Sequence, residues 1–152
     1  LQEVAVLVEG PSVDPAVSCV SAYVQADGTL GVEPFFQTPS AWGSIEVRGA
    51  EIRPASTYEV RIDSGTPGNP VLSDAVSAQT RLFGEVDASL GVTVDDLLCV
   101  LDGFAGTFRA CPLVACDLGP CAADGEITLD GILQACDALT GESFACPPPC
   151  LE

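Results

Sequence analysis

The chain contains no lysine, no histidine and no methionine, and its cationic side chains are five arginines set against 22 acidic residues. Each absence excludes something. Without histidine or lysine there is no imidazole base and no amine nucleophile, so an enzyme here would have to work with carboxylates alone, as glycosidases do. A formal charge of −17 repels nucleic acid and anionic membranes, whose recognition needs clustered Lys or Arg. No uninterrupted apolar run reaches the roughly 18 residues that a membrane-spanning helix requires. Aromatic residues make up only 6% of the chain, which limits any sugar-stacking surface. Zinc is disfavoured too, because there is no histidine and no Cys-x-x-Cys pair to seed a metal knuckle.

What is present is a 152-residue chain with 47% hydrophobic residues, enough to fold as one domain or two small ones despite its charge. The opening "LQEVAVLVEG" has no initiator Met and no basic region, so we expect a mature or excised segment of a larger polypeptide. Leu151-Glu152 reads as a tag remnant. Eight cysteines (Cys19, Cys99, Cys111, Cys116, Cys121, Cys136, Cys146 and Cys150) favour disulfides and therefore an extracellular setting, secreted or at the cell surface.

The two halves have different patterns. Residues 1–81 read as short strands: "VAVLV" from Val4 is a short apolar run, "SCVSAYVQ" is mixed and β-rich and ends in the Asp27-Gly28 turn, and alternation marks "GSIEVRG" with Ile45 and Val47, "TYEVRID" with Tyr58, Val60 and Ile62, and "DAVSAQT" with Val76, Ala78 and Thr80. Pro and Gly punctuate them, as in "SGTPGNP", and the expectation is an all-β sandwich. "IRPASTYEVRI" followed by "LSDAVSAQT" resembles the closing strands of fibronectin type III domains. That resemblance implies that the Tyr58 hydroxyl bonds back to the chain at a corner between strands.

Residues 82–150 switch to helical spacing. Leu97, Leu98, Val100, Leu101 and Phe104 recur at intervals of three and four, and Ile132, Leu133, Cys136 and Leu139 repeat the pattern. "VTVDDLLCVLDGF" and "ITLDGILQACDAL" align at a period of 35, so the expectation is a duplicated pair of loop–helix units that pack on each other. Before the first helix, a twelve-residue oxygen-donor loop counted from Glu85 places Asp87 third, Ser89 fifth, Gly91 seventh as a carbonyl donor, and Asp96 last, the spacing of a calcium loop. In the second unit Asp117 and Asp124 are the corresponding candidates. Asp95 or Asp96, and Asp130, are also candidate helix N-caps.

This duplicated pattern, in "GEVDASLGVTVDDLL", resembles the dockerin family, and more closely the cysteine-bearing dockerin-like tails of large secreted planctomycete and myxobacterial proteins. The resemblance implies calcium in EF-hand-like loops and a cohesin-like or other cell-surface protein as partner. The chain departs from the family at Leu90, where a glycine permits the sharp turn, at Glu85 in place of Asp, and at Gly131, where the last acidic ligand should stand. For the cysteines we expect Cys116–Cys136, clipping the second loop to its helix, and, by elimination, Cys19–Cys99, with Cys111, Cys121, Cys146 and Cys150 pairing among themselves.

The expected function is a non-catalytic extracellular module pair, calcium-stabilised, for protein–protein interaction or anchoring of a larger secreted protein. The alternative is a carbohydrate-binding β-sandwich, with Trp42, Phe35, Phe36 and Tyr23 stacking on sugars and the disulfide-rich tail serving as a structural support.

Overall fold

In the computed structural model, residues 2–14, 17–18, 20–49, 51–119, 124–144 and 146 are described. The chain divides into two units, one covering Leu1–Gln79 and the other Thr80–Pro147.

The first unit is antiparallel. Its strands are β1 (Ala5–Glu9), β2 (Ser12–Asp14), β3 (Val17–Ser18), β4 (Ser21–Val24), β5 (Leu30–Gly31), β6 (Thr57–Asp63) and β7 (Val76–Gln79), with a short helix α1 (Pro39–Trp42) between β5 and β6. Five strands form one sheet in the order β5-β4-β1-β6-β7, and β2 pairs with β3 in a separate ribbon. The alternation in "TYEVRID" explains the register. Tyr58 and Val60 share a face with Val8, which stands opposite Val60, and with Ala22, opposite Val8. Val8, Val24 and Tyr58 are buried there, with Val6, Leu30 and Val60 packed against them.

A second full sheet does not close over this face. Among the described residues the segment "GSIEVRG" forms no strand, and Trp42 ends α1 instead of preceding one. Ile45, Val47 and Ile52 nevertheless pack on the core from irregular chain. The reason is local. The Asp27-Gly28 turn accepts a backbone bond from Arg48 N at 2.9 Å on Gly28 O. A Cβ on Gly28 would lie 2.1 Å from Glu46 O, so this glycine lets the passing segment lie directly on the turn. That segment is anchored by its ends and by the turn, and alternation alone did not make it a ladder partner.

Two polar devices tie the sheet together. The Tyr58 hydroxyl donates to Glu51 O at 2.8 Å and accepts from Arg53 N at 2.7 Å, so the ring crosses back to the preceding corner. On the opposite face Asp63 is buried, accepting from Gly65 N at 2.8 Å, Val71 N at 2.9 Å and the Tyr23 hydroxyl at 3.0 Å. Burial opposes the Asp63 charge, but these three donors outweigh it and hold the carboxyl below its usual range. A folded value below the unfolded one contributes stability that is present above about pH 4 and lost as pH falls through the folded value. Asp63→Asn should therefore flatten the acid limb of the first unit's stability curve. Denaturant melts followed by Trp42 fluorescence between pH 5 and 2 would measure it.

The second unit holds three helices: α2 (Val94–Phe104), α3 (Leu113–Cys116) and α4 (Leu129–Leu139). The two long helices have 11 residues each and start at 94 and 129, a shift of 35 that matches the sequence repeat. They pack against each other. The same positions are buried in both: Asp96, Val100 and Gly103 in α2, and Gly131, Ala135 and Ala138 in α4. Glycines let the flanking chain lie close against each helix. A Cβ on Gly103 would meet Ile127 Cδ1 at 2.5 Å, and one on Gly84, at φ +79°, would meet the Ala138 Cβ at 2.3 Å. The core is small: Val86, Val100, Cys111, Cys116 and Ala135, with Leu97, Ile127 and Ile132 partly buried around it. Phe83 and Phe144 stack at 5.2 Å, joining the start of this unit to its end.

The cysteine pairing differs from expectation. Cys99 is bonded to Cys111, which rules out Cys19–Cys99. Cys116 and Cys136 are thiols and are not bonded to each other. The Cys99–Cys111 bridge closes the α2–α3 connection, with a sequence separation of 12, where the expectation had tied the two units together. Burial pushes the Cys116 thiol up, so it serves as a small apolar core residue and not as a nucleophile. Cys146 is disulfide-bonded. Cys19, Cys121 and Cys150 lie outside the described residues.

Candidate metal centre in the first loop

The loop between Glu85 and Asp96 is built around the start of α2. Thr93 is the N-cap, its hydroxyl accepting from Asp95 N at 3.2 Å, and Asp96 returns the bond by accepting from Thr93 N at 2.8 Å. This is a reciprocal capping box, and "TVDD" carries its sequence signature. The expectation that Asp95 or Asp96, and Asp130, cap their helices is corrected: the N-caps are Thr93 and Thr128, Asp96 is the third helical residue and the partner of Thr93 in the box, and Asp130 sits exposed in the first turn of α4. Thr128 accepts from Gly131 N at 3.4 Å, but Gly131 has no carboxylate with which to complete a second box. Aspartates drew attention as caps because of their charge. The threonine one turn earlier fits better because its backbone is already extended, at φ −133° for Thr93.

Asp96 does more than cap. Its other oxygen accepts from Val86 N at 2.6 Å and Asp87 N at 3.1 Å, which folds the beginning of the loop back onto the helix start. Burial opposes its charge, yet these bonds and those from Thr93 hold the carboxyl below its usual range. The turn between these anchors is tight. Leu90, at the loop's sixth position, adopts φ +73°, and Ala88 adopts φ +66°. Leu90 thus takes the left-handed conformation that a glycine would supply without strain, and its side chain is 92% exposed. Ser89 spends its hydroxyl on Gly91 O at 3.1 Å, and Asp87 accepts from Ser89 N at 2.9 Å.

The result is a convergence of three carboxylates. Glu85, Asp87 and Asp96 each offer an oxygen within 4.8 Å of the others, the only such group of acidic, histidine or cysteine side chains among the described residues. At that spacing each pair of charges repels by on the order of 3 kcal/mol in an effective dielectric of about 20. Glu85 and Asp96 are buried, and Glu85 Oε1 has no hydrogen-bond partner. Its other oxygen faces Arg81 Nε at 3.6 Å. One arginine against three carboxylates leaves a net negative site with an orphaned buried oxygen. An all-oxygen donor set of this kind suits a hard divalent cation. Glu85 and Asp87 therefore fit a metal-holding role. Asp96 already accepts four hydrogen bonds, so its first task is to shape the loop.

The structure does not assemble the second loop's candidates in the same way. Asp117 is buried and accepts from Gly125 N at 2.7 Å, while Asp124 is exposed and accepts from Glu126 N at 2.9 Å. Neither belongs to a three-ligand group among the described residues. Sequence reasoning missed Arg81, which pairs with Glu85 and donates to Val86 O at 3.0 Å. The signal was available in the turn chemistry: Glu85 N bonds to Leu82 O, and Gly84 at φ +79° makes the reversal that brings Arg81 beside Glu85.

Among the aromatics proposed for sugar stacking, Trp42 donates its indole N–H to Val4 O at 3.0 Å and meets Phe35 edge-on at 6.1 Å. Tyr23 gives its hydroxyl to Asp63. Comparison with protein-family models, curated proteins and solved structures found no match for the chain.

Proposed function

We propose that this chain is a non-catalytic extracellular module pair whose second unit is a calcium-stabilised, duplicated loop–helix module that binds a protein partner or anchors a larger secreted protein. The observation that carries the interaction reading is a pair of equivalent apolar stripes. Val94, Leu98 and Leu101 lie along one side of α2, and Leu129 and Leu133 occupy the equivalent places on α4. All five are exposed, Leu98 at 52% and Leu133 at 61%, although the sequence pattern had assigned Leu98 and Leu133 to the packed face. The helices bury Val100, Gly103, Ala135 and Ala138 and leave these larger residues in water, which is the reverse of what stability alone would select.

Calcium is the ion proposed for the first loop because the carboxylates and backbone carbonyls there offer only oxygen, the donor type that calcium takes. When bound, it would supply positive charge that offsets the Glu85–Asp87–Asp96 repulsion. Glu85 and Asp87 would hold it, and Asp96 would keep the loop closed on the helix. No metal role is proposed for Ser89, whose hydroxyl is engaged with Gly91.

The interaction reading is tested by surface plasmon resonance of the whole chain against a panel of cohesin-type β-sandwich domains. Leu98→Asp with Leu133→Asp should leave the helical signal intact, since both side chains are exposed, and reduce binding by at least about tenfold. Absence of binding to every receptor, or binding indifferent to both changes, would overturn it. Trp42, Phe35 and Tyr23 make internal contacts, and no observation favours the carbohydrate reading.

A further inference from the structure

Arg81 stands where an incoming cation would act. Its Nε lies 3.6 Å from Glu85 Oε2, and its Nη1 donates to Val86 O at 3.0 Å, so the guanidinium is clamped to the rim of the three-carboxylate group. Five arginines serve the whole chain; Arg61 pairs with Glu9 and Glu59 in the sheet, and Arg81 pairs with Glu85 here. Glu85 is the most enclosed of these acidic partners, with its side chain 2% exposed, against 30% for Glu9 and 57% for Glu59.

From this geometry we infer that Arg81 is a tethered counter-ion that competes with the metal for Glu85 and so sets the ion affinity of the loop. The inference rests on the metal reading of Glu85, Asp87 and Asp96. Without an ion, the guanidinium offsets part of the charge that Glu85 carries into a buried position, and it holds the carboxylate toward its Oε2 side. Glu85 Oε1 is left without a partner and free for a ligand. When a divalent cation enters, the guanidinium becomes a like charge beside it, and the Arg81–Glu85 contact is weakened. The loop therefore keeps its shape empty, at the expense of affinity when filled. Arg81 has no counterpart in the second unit, where Leu113 stands four residues before Asp117.

The test is calorimetric titration of calcium chloride into the metal-stripped full chain and into Arg81→Gln and Arg81→Lys. Gln keeps an amide donor for Val86 O and loses the charge, whereas Lys keeps the charge and loses the planar fork. The expected result is calcium binding about tenfold tighter in Arg81→Gln than in the unaltered chain, with Arg81→Lys close to the unaltered value, since a half-exposed charge near a divalent ion acts mainly through screened Coulomb repulsion. In parallel, the Arg81 Nε–Hε resonance should move toward the position of a free arginine as calcium saturates. Equal or weaker binding in Arg81→Gln, or an Nε–Hε signal that ignores calcium, overturns the counter-ion role while leaving the metal site standing. Equal tightening in both variants assigns the effect to loop packing and also overturns it. No saturable binding in any of the three chains refutes the metal reading, and this inference with it.

Discussion

Asp96→Ala is expected to be the most damaging single carboxylate change in the chain, destabilising the second unit by about 3–5 kcal/mol. The reason is the number of backbone groups that depend on it. Its two oxygens accept from Val86 N, Asp87 N, Thr93 N and the Thr93 hydroxyl, and the Val86 residue is buried, so water cannot take over. Thr93→Ala, which removes only the cap hydroxyl, should cost about 1 kcal/mol. Urea denaturation followed at 222 nm reads both. The long helices lie in the second unit, so the helical signal reports chiefly on it. The complementary change is Gly131→Asp, the equivalent position in α4. A Cβ there meets nothing within 4 Å, and a carboxylate could complete the box with Thr128. A gain of about 1 kcal/mol is expected from the added helix propensity and cap. If Asp96→Ala and Thr93→Ala were equally mild, the fold-back of the loop onto Asp96 would not matter energetically.

The second large effect is expected at Gly84. Its φ of +79° is strained for any residue with a side chain, and a Cβ there would sit 2.3 Å from that of Ala138. Gly84→Ala should cost about 3 kcal/mol, from left-handed backbone strain of about 1–2 kcal/mol and overpacking of similar size. The two contributions can be separated. Adding Ala138→Gly removes the collision but leaves the strain, so the double variant should be about 1–2 kcal/mol more stable than the sum of the single effects predicts. Strict additivity would mean that α4 simply moves aside and that the Gly84–Ala138 contact does not fix its position.

These predictions rest on features that were unequally legible in the sequence. The 35-residue repeat was read from aligned apolar and acidic positions, and the helices follow it residue for residue, burying the same three positions in both copies: Asp96, Val100 and Gly103 in α2, and Gly131, Ala135 and Ala138 in α4. "TYEVRID" was legible as a strand because alternation and β-branched content agree there, and "VAVLV" because it is a short, valine-rich apolar run. "GSIEVRG" misled because alternation describes only which side chains turn inward. Ile45 and Val47 do turn inward, but the segment is held to the Gly28 turn through Arg48 N and forms no strand. The apolar face of α2 misled in another way. Spacing of three and four identifies a stripe without saying which side of a broad stripe is covered, and of that stripe only Val100 is fully buried, flanked by Asp96 and Gly103, which carry no hydrophobic signal. The disulfides were the least legible feature. Pairing depends on Cα separation in the folded chain, and Cys99 and Cys111 come within 5.8 Å only because the chain turns back from α2 to α3. At the loop, the carboxylates Glu85, Asp87 and Asp96 were correctly grouped by the twelve-residue count. Arg81 lay outside that count, and its role follows from the Gly84 turn alone.

The central claim, that the three-carboxylate loop takes up calcium and is stabilised by it, has a direct measurement. The metal-stripped full chain is melted in EDTA and in calcium at about 100 times the dissociation constant, with the helical signal followed at 222 nm. Selective binding to the folded loop should add about 2.7 kcal/mol, which for a unit of this size corresponds to roughly 10–20 °C in the helical transition. Glu85→Gln combined with Asp87→Asn should abolish the difference. An unaltered chain that melts at the same temperature in EDTA and in calcium would contradict the account, leaving Glu85, Asp87 and Asp96 as the acidic side of a capped turn.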